Sequence, residues 1–182
     1  MLACLWFALD DRGNVTVFRE LFLPGLIVSQ AAAQIRDASP EPVVATYAPP
    51  DLANRQKDTG RSMWEIFEEN GIRLSRADSN RIQGWMQIRE YLAAENATTP
   101  SLRIFSTCHQ LIRCLPLLRH DPAVPGDCAQ SPHELTHLPD ALRYFLRSRA
   151  GPPLLPGNAP ADDPHAMLLA RVRPKSRKGR FN

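Results

Sequence analysis

The chain has 182 residues, enough for one domain with one sizeable core, and its 43% hydrophobic and 23% charged residues are soluble-globular proportions. No apolar run approaches the roughly 20 residues a bilayer span needs, which excludes a spanning helix. Four cysteines (Cys4, Cys108, Cys114, Cys128) form no CxxC pair, which argues against a zinc knuckle or a disulfide framework and for a reducing compartment. The net charge of +3 is uneven: six of the 22 basic residues lie in the last twelve positions, leaving 16 basic against 19 acidic in the rest of the chain.

The opening MLACLWFAL is apolar but has no basic flank and leads straight into Asp10-Asp11-Arg12-Gly13, so it reads as a strand entering a turn, not a signal peptide. Residues 2–9 and 14–22 are strand-like around that turn and predict an antiparallel hairpin. Ser29 is placed to cap a short Ala-rich helix ending before Pro40. VVATYA at 43–48 has the form of a short buried strand and stops at Pro49-Pro50, with Asp51 directly after. Ser62 caps a helix through MWEIFEEN that Asn70-Gly71 closes, and Ile72 to Leu74 add a short extended piece. Residues 80–94 predict the longest helix, with Ile82, Trp85, Met86, Ile88 and Leu92 on a broad apolar face. A strand at 102–105, a helix near 108–118, a polar loop and a last helix from Pro139 to Ser148 complete a mixed α/β domain around a central sheet. From Gly151 to Pro164 the sequence GPPLLPGNAPADDP cannot sustain a helix or a ladder, so the folded part is expected to end near residue 149. Residues 150–182 then form a Pro-rich and basic tail. Such a tail reads first as a solvated terminus and second as a phosphate-contacting segment, with Lys175, Arg177 and Lys178 as the candidate nucleic-acid contacts.

Two groups of residues could carry chemistry. Asp51 stands just beyond the C-terminal end of a strand, where α/β folds place their sites, and the loop LANRQKDTGRS after it suits an anionic substrate. The competing reading is a turn aspartate that caps its own backbone. The second group is HELTHLPDALRYF, where His137 and Asp140 are three apart and project to one side of a helical turn. Asp140 suits a hard divalent ion such as Mg²⁺, with His137 orienting water; alternatively Asp140 merely answers the macrodipole of the helix. HELTH also matches the H-E-x-x-H zinc peptidase pattern, which needs one continuous helix and a third zinc ligand. Pro139 disfavours that helix, no Glu follows Glu134, and Asp140 and Arg143 stand where the extended motif needs Gly and His.

The blocks TYAPPDLANRQKDTGRSMWEIFEENGI, LSRADSNRIQGWMQIREYL, LRIFSTCHQLIRCLPLLRHD and HELTHLPDALRYF, in that order, resemble the C-terminal nuclease domain of tailed-bacteriophage large terminase subunits over residues 1–148. The resemblance implies a ribonuclease H-like fold, a mixed sheet flanked by helices, and a two-metal endonuclease using Mg²⁺ or Mn²⁺ on concatemeric double-stranded DNA. It also implies the phage portal and small terminase subunit as partners, no membrane, and the bacterial host cytoplasm as location. Two of the family's three metal-holding carboxylates fall on Asp51 of APPDL and Asp140 of HLPDALRY, with His137 as companion. Arg55 and Arg81 fall where the family approaches DNA. The family's first strand and its carboxylate precede the hairpin that opens this sequence, and DLA stands where the family has DLW, with Ala53 for the Trp. The expectation is a terminase nuclease domain short of one strand and one carboxylate, with weak or no cleavage of its own. The alternative is a non-catalytic DNA-binding or portal-interacting remnant.

Overall fold

The computed structural model describes residues 1–93 and 101–149. Strands β1 (Leu2–Leu9) and β2 (Val15–Leu23) form the expected hairpin, in register from Leu2↔Leu23 to Leu9↔Val15 with a bulge between Trp6 and Phe7. The Asp10 carboxylate closes the turn by accepting from the backbone N–H groups of Arg12 and Asn14 and from the Asn14 amide, and Gly13 supplies the positive φ. The strand expected at 102–105 becomes β5 (Leu102–Ile104), which pairs parallel to β2 from Val15↔Leu102. The sheet order is therefore β1-β2-β5, with β2 central and β1 at an edge.

Helix α1 (Val28–Asp37) starts one residue before Ser29, and the Gln30 side chain accepts from the Ile27 N–H in place of a serine cap. The strand expected over 43–48 shrinks to β3 (Tyr47–Ala48), and Val43 and Val44 are 52% and 38% exposed. The physical reason is the partner: the parallel ladder to β4 (Ser75–Arg76) reaches back only to the Thr46 carbonyl, so the valines have nothing to pack against. A 3-10 turn at Pro50–Ala53 follows β3. Helix α2 (Met63–Glu69) carries the expected cap in full: Ser62 Oγ accepts from the Glu65 N–H, and the Glu65 carboxylate accepts from the Ser62 N–H. The extended piece lies at β4 rather than at Ile72 to Leu74, because Ile72 is buried in a small core with α1 and α2.

Helix α3 (Arg81–Leu92) is capped by the Asn80 side chain, which accepts from the Gln83 N–H. Its buried face is narrower than the apolar pattern promised. Gly84, Trp85 and Ile88 are buried, while Ile82, Met86 and Leu92 stay exposed, because helix α5 crosses only the Gly84 side. Helix α4 spans only His109–Cys114, since Pro116 has no N–H to donate and the chain tightens into a 3-10 turn at Leu115–Leu117. Helix α5 (His137–Ser148) begins two residues before Pro139. Proline is tolerated in a first turn because its missing N–H would have had no intrahelical partner there.

The fold is thus mixed α/β, but the expected central sheet is divided into the three-stranded β1-β2-β5 and the two-stranded β3-β4. Helix α5 packs on both β1 and β3. Its Leu138, Leu142 and Leu146, one turn apart, join Leu5, Val15, Val17, Trp85, Ile88 and Leu111 in the main core. Phe145 lies parallel to Phe7 of β1 at 3.7 Å between ring centroids and meets Tyr47 of β3 edge-on at 6.3 Å. On the opposite face Leu2 shares the smaller core with Leu52, Ile72 and Leu74. Among the described residues no helix is long and apolar enough to cross a membrane.

Candidate functional site

Asp51 lies exposed in the 3-10 turn that follows β3. Its backbone carbonyl accepts from the Asn54 N–H, but no hydrogen bond or ion pair among the described residues holds its carboxylate. The side chain is therefore not spent on capping its own turn. Leu52, the next residue, packs in the cluster that also holds Leu2, at the start of β1. At the start of helix α5 the His137 imidazole sits 6.4 Å from the Phe22 ring, centroid to centroid.

Asp140 is already engaged. Its Oδ1 accepts from Arg143 Nε at 3.0 Å and from Arg81 Nη1 at 3.4 Å, and the Arg143 side chain is only 1% exposed. Arg143 Nη1 also donates to the Ser79 carbonyl at 3.2 Å. Arg81 donates through Nε to both oxygens of Asp127, at 2.9 and 3.1 Å, and through Nη2 to the Cys128 carbonyl. Asp127 further accepts from the Trp85 indole at 2.8 Å and from the Cys128 N–H at 2.7 Å. Both guanidiniums lie over the Trp85 ring. Burial opposes ionisation of Asp127, yet Arg81, the Cys128 N–H and the indole together hold its carboxyl below the ordinary value. Two arginines and two aspartates thus tie the starts of α3 and α5 to the loop before α5.

Sequence reasoning missed Asp127. It stands alone in PGDC, 46 positions from Arg81, and no spacing rule joins them. The one local signal is Gly126, whose positive φ turns the chain so that Asp127 points inward. Arg81, a candidate for DNA contact, has its guanidinium committed inside this network, with the side chain 25% exposed. Arg55 is on the surface and donates to Glu65 at 3.3 Å and to the Gly60 carbonyl. Lys175, Arg177 and Lys178, with the rest of the 150–182 tail, lie outside the described residues.

The H-E-x-x-H reading loses its helix. His133–Leu135 form a 3-10 turn, and α5 starts only at His137, so the two histidines are not on one continuous helix although their rings stack at 6.2 Å. Among the described residues no three His, Cys, Asp or Glu side chains converge as a metal-holding group. Two carboxylates and one histidine, with one carboxylate already charge-balanced by arginine, are a smaller donor set than a pair of divalent ions requires. These residues do not fit a two-ion centre by themselves.

Compared with family models, curated proteins and solved structures, the chain matches none.

Burial is the main influence on His137 and lowers its pKa, reinforced by the Met1 amino group and His133 and opposed by Asp140 and Glu134. A histidine held neutral in the folded state costs stability once the unfolded chain can bind the proton. Stability is therefore full above the ordinary 6.5 and declines as the pH falls through it, until the folded-state imidazole titrates. NMR titration should place the His137 midpoint below the ordinary 6.5; a midpoint at or above 6.5 would refute the assignment.

Proposed function

We propose that the chain is the DNA-engaging body of a terminase-type nuclease domain with a ribonuclease H-like arrangement, supplying two acidic residues of its site. The observation that carries this reading is the exposed Asp51 carboxylate in the turn directly after β3, beside Leu52, which packs against the same apolar cluster as Leu2 of β1. On this reading Asp51 and Asp140 hold at most one Mg²⁺ or Mn²⁺ unaided, and His137 lies beside them as a neutral base that orients water. Double-stranded DNA is the substrate, and the portal and small terminase subunit are the partners. A second reading, a non-catalytic DNA-binding remnant, is favoured by the capture of Asp140 by Arg81 and Arg143.

Plasmid nicking by the purified chain tests both. The first reading expects negligible cleavage with Mg²⁺ and slow cleavage with Mn²⁺ that Asp51→Ala abolishes; Asp140→Asn serves as the second variant, with its fold checked by circular dichroism. The second reading expects no cleavage with either ion but retention of DNA that weakens steeply with salt. Loss of both cleavage and DNA retention at low salt would overturn the two together. Cleavage untouched by both substitutions would remove these residues from the mechanism.

A further inference from the structure

The head of Arg81, the first residue of α3, is surrounded by oxygen. Nε donates to both oxygens of Asp127 at 2.9 and 3.1 Å, Nη2 to the Cys128 carbonyl at 3.1 Å and Nη1 to Asp140 Oδ1 at 3.4 Å. Two carboxylates and a carbonyl converging on one positive charge are the donor types that a hard divalent ion takes. Here a guanidinium stands among them. Its planar fork serves three acceptors at once, and its Cζ lies 5.7 Å from the centroid of the Trp85 ring. Burial works against the charge, yet Asp127 and Asp140 raise the pKa of Arg81 above the ordinary value, so the group stays a cation.

An incoming ion would have to displace this cation or sit beside it. Displacement is opposed because Asp127 is 8% exposed, and stripping Arg81 from it leaves a buried charge unpaired. A place beside it is opposed by like charge. Arg143 Nη2 and Nε already hold the same Asp140 Oδ1 at 2.9 and 3.0 Å, so Arg81, Arg143, Asp127 and Asp140 balance without any further cation. We propose that Arg81 is the resident cation of this oxygen cluster and bars divalent ions from Asp140, which serves as an anchor for guanidinium groups and not as an ion ligand. The proposal deepens the second reading, in which the acid site no longer acts, and rests on it. Ion binding without DNA and DNA retention without ions let the two fail separately.

The test measures free Mn²⁺ by electron paramagnetic resonance against the full chain, with no DNA present. It compares the parent with Asp140→Asn, Arg81→Ala and the double variant, each checked for fold by circular dichroism. In the parent background Asp140→Asn should change Mn²⁺ affinity less than twofold while lowering Tm. Arg81→Ala removes the cation and leaves a net negative charge among the same oxygens. Its Mn²⁺ affinity should therefore rise at least tenfold, and Mn²⁺ should raise its Tm. Adding Asp140→Asn should cancel that gain. An Asp140→Asn protein that binds Mn²⁺ more than twofold more weakly than the parent would show the ion reaching Asp140 with Arg81 in place. That result overturns the proposal without any Arg81 variant. So would a folded Arg81→Ala protein with parental affinity, or a gain that survives Asp140→Asn. Where Arg81→Ala does not fold, Arg81→Gln, which keeps a neutral donor toward Asp127, takes its place.

Discussion

Gly84→Ala is expected to destabilise the protein by about 2–3 kcal/mol, although in an exposed helix the same change stabilises by about 1 kcal/mol. A Cβ at this position of α3 would stand 2.6 Å from Arg143 Cδ, closer still to Arg143 Cγ, and 3.4 Å from Arg147 Cγ. A flexible side chain could swing away, but the Arg143 stem cannot, because its guanidinium is pinned by Asp140 and the Ser79 carbonyl and is sealed from water. The two helices would have to separate. For a chain of this size the cost corresponds to a fall in Tm of about 5–10 °C, measurable by thermal or urea unfolding. In an Arg143→Met background, where no fixed head group holds the stem, the added cost of Gly84→Ala should drop below about 1 kcal/mol. A Gly84→Ala protein as stable as the parent would contradict the close approach of α3 and α5.

Asp127→Ala should cost about 3–5 kcal/mol, the range for breaking one side of a buried ion pair. The loss is large because three donors converge on this carboxylate: the Arg81 Nε, the buried Trp85 indole and the Cys128 N–H. The indole and the Cys128 residue are buried, so neither of these two donors has a ready route to water. Asp127→Asn separates charge from shape. Because the folded-state pKa of Asp127 is depressed, its contribution is fully present above the ordinary 3.8 and is lost as the pH falls through the depressed value. The parent should therefore lose stability in that acid window more steeply than Asp127→Asn does. Parallel acid-unfolding curves for the two proteins would show that the ion pair with Arg81 contributes nothing.

Much of the framework was legible in the sequence because local rules govern it. The Asp10 turn and the Ser62 cap each depend on residues at most four apart. Burial was less legible because it depends on what lies opposite. The Val43-Val44 pair has ideal strand chemistry and no strand beside it, and α3 has a broad apolar stripe of which α5 covers one part. The division of the sheet was equally out of reach, since no residue in β1 or β3 announces which strand is its neighbour. At the candidate site, Asp51, Asp140 and Arg81 could be named by motif, but Asp127 and the pairing of Asp140 with Arg81 and Arg143 could not. Ion pairs 46 and 59 residues apart leave no periodic trace.

The seat of α5 across β1 and β3 bears on how the molecule comes apart. Two sheets without a shared ladder would ordinarily open as independent units, each with its own free energy. Here one helix supplies apolar cover to both, through Leu138, Leu142 and Leu146 on one side and Phe145 toward Tyr47 on the other. Detaching α5 strips both sheets at once, so neither has a cheap opening of its own. Cooperativity that a continuous sheet would provide through its backbone is provided here by a single helix and its side chains.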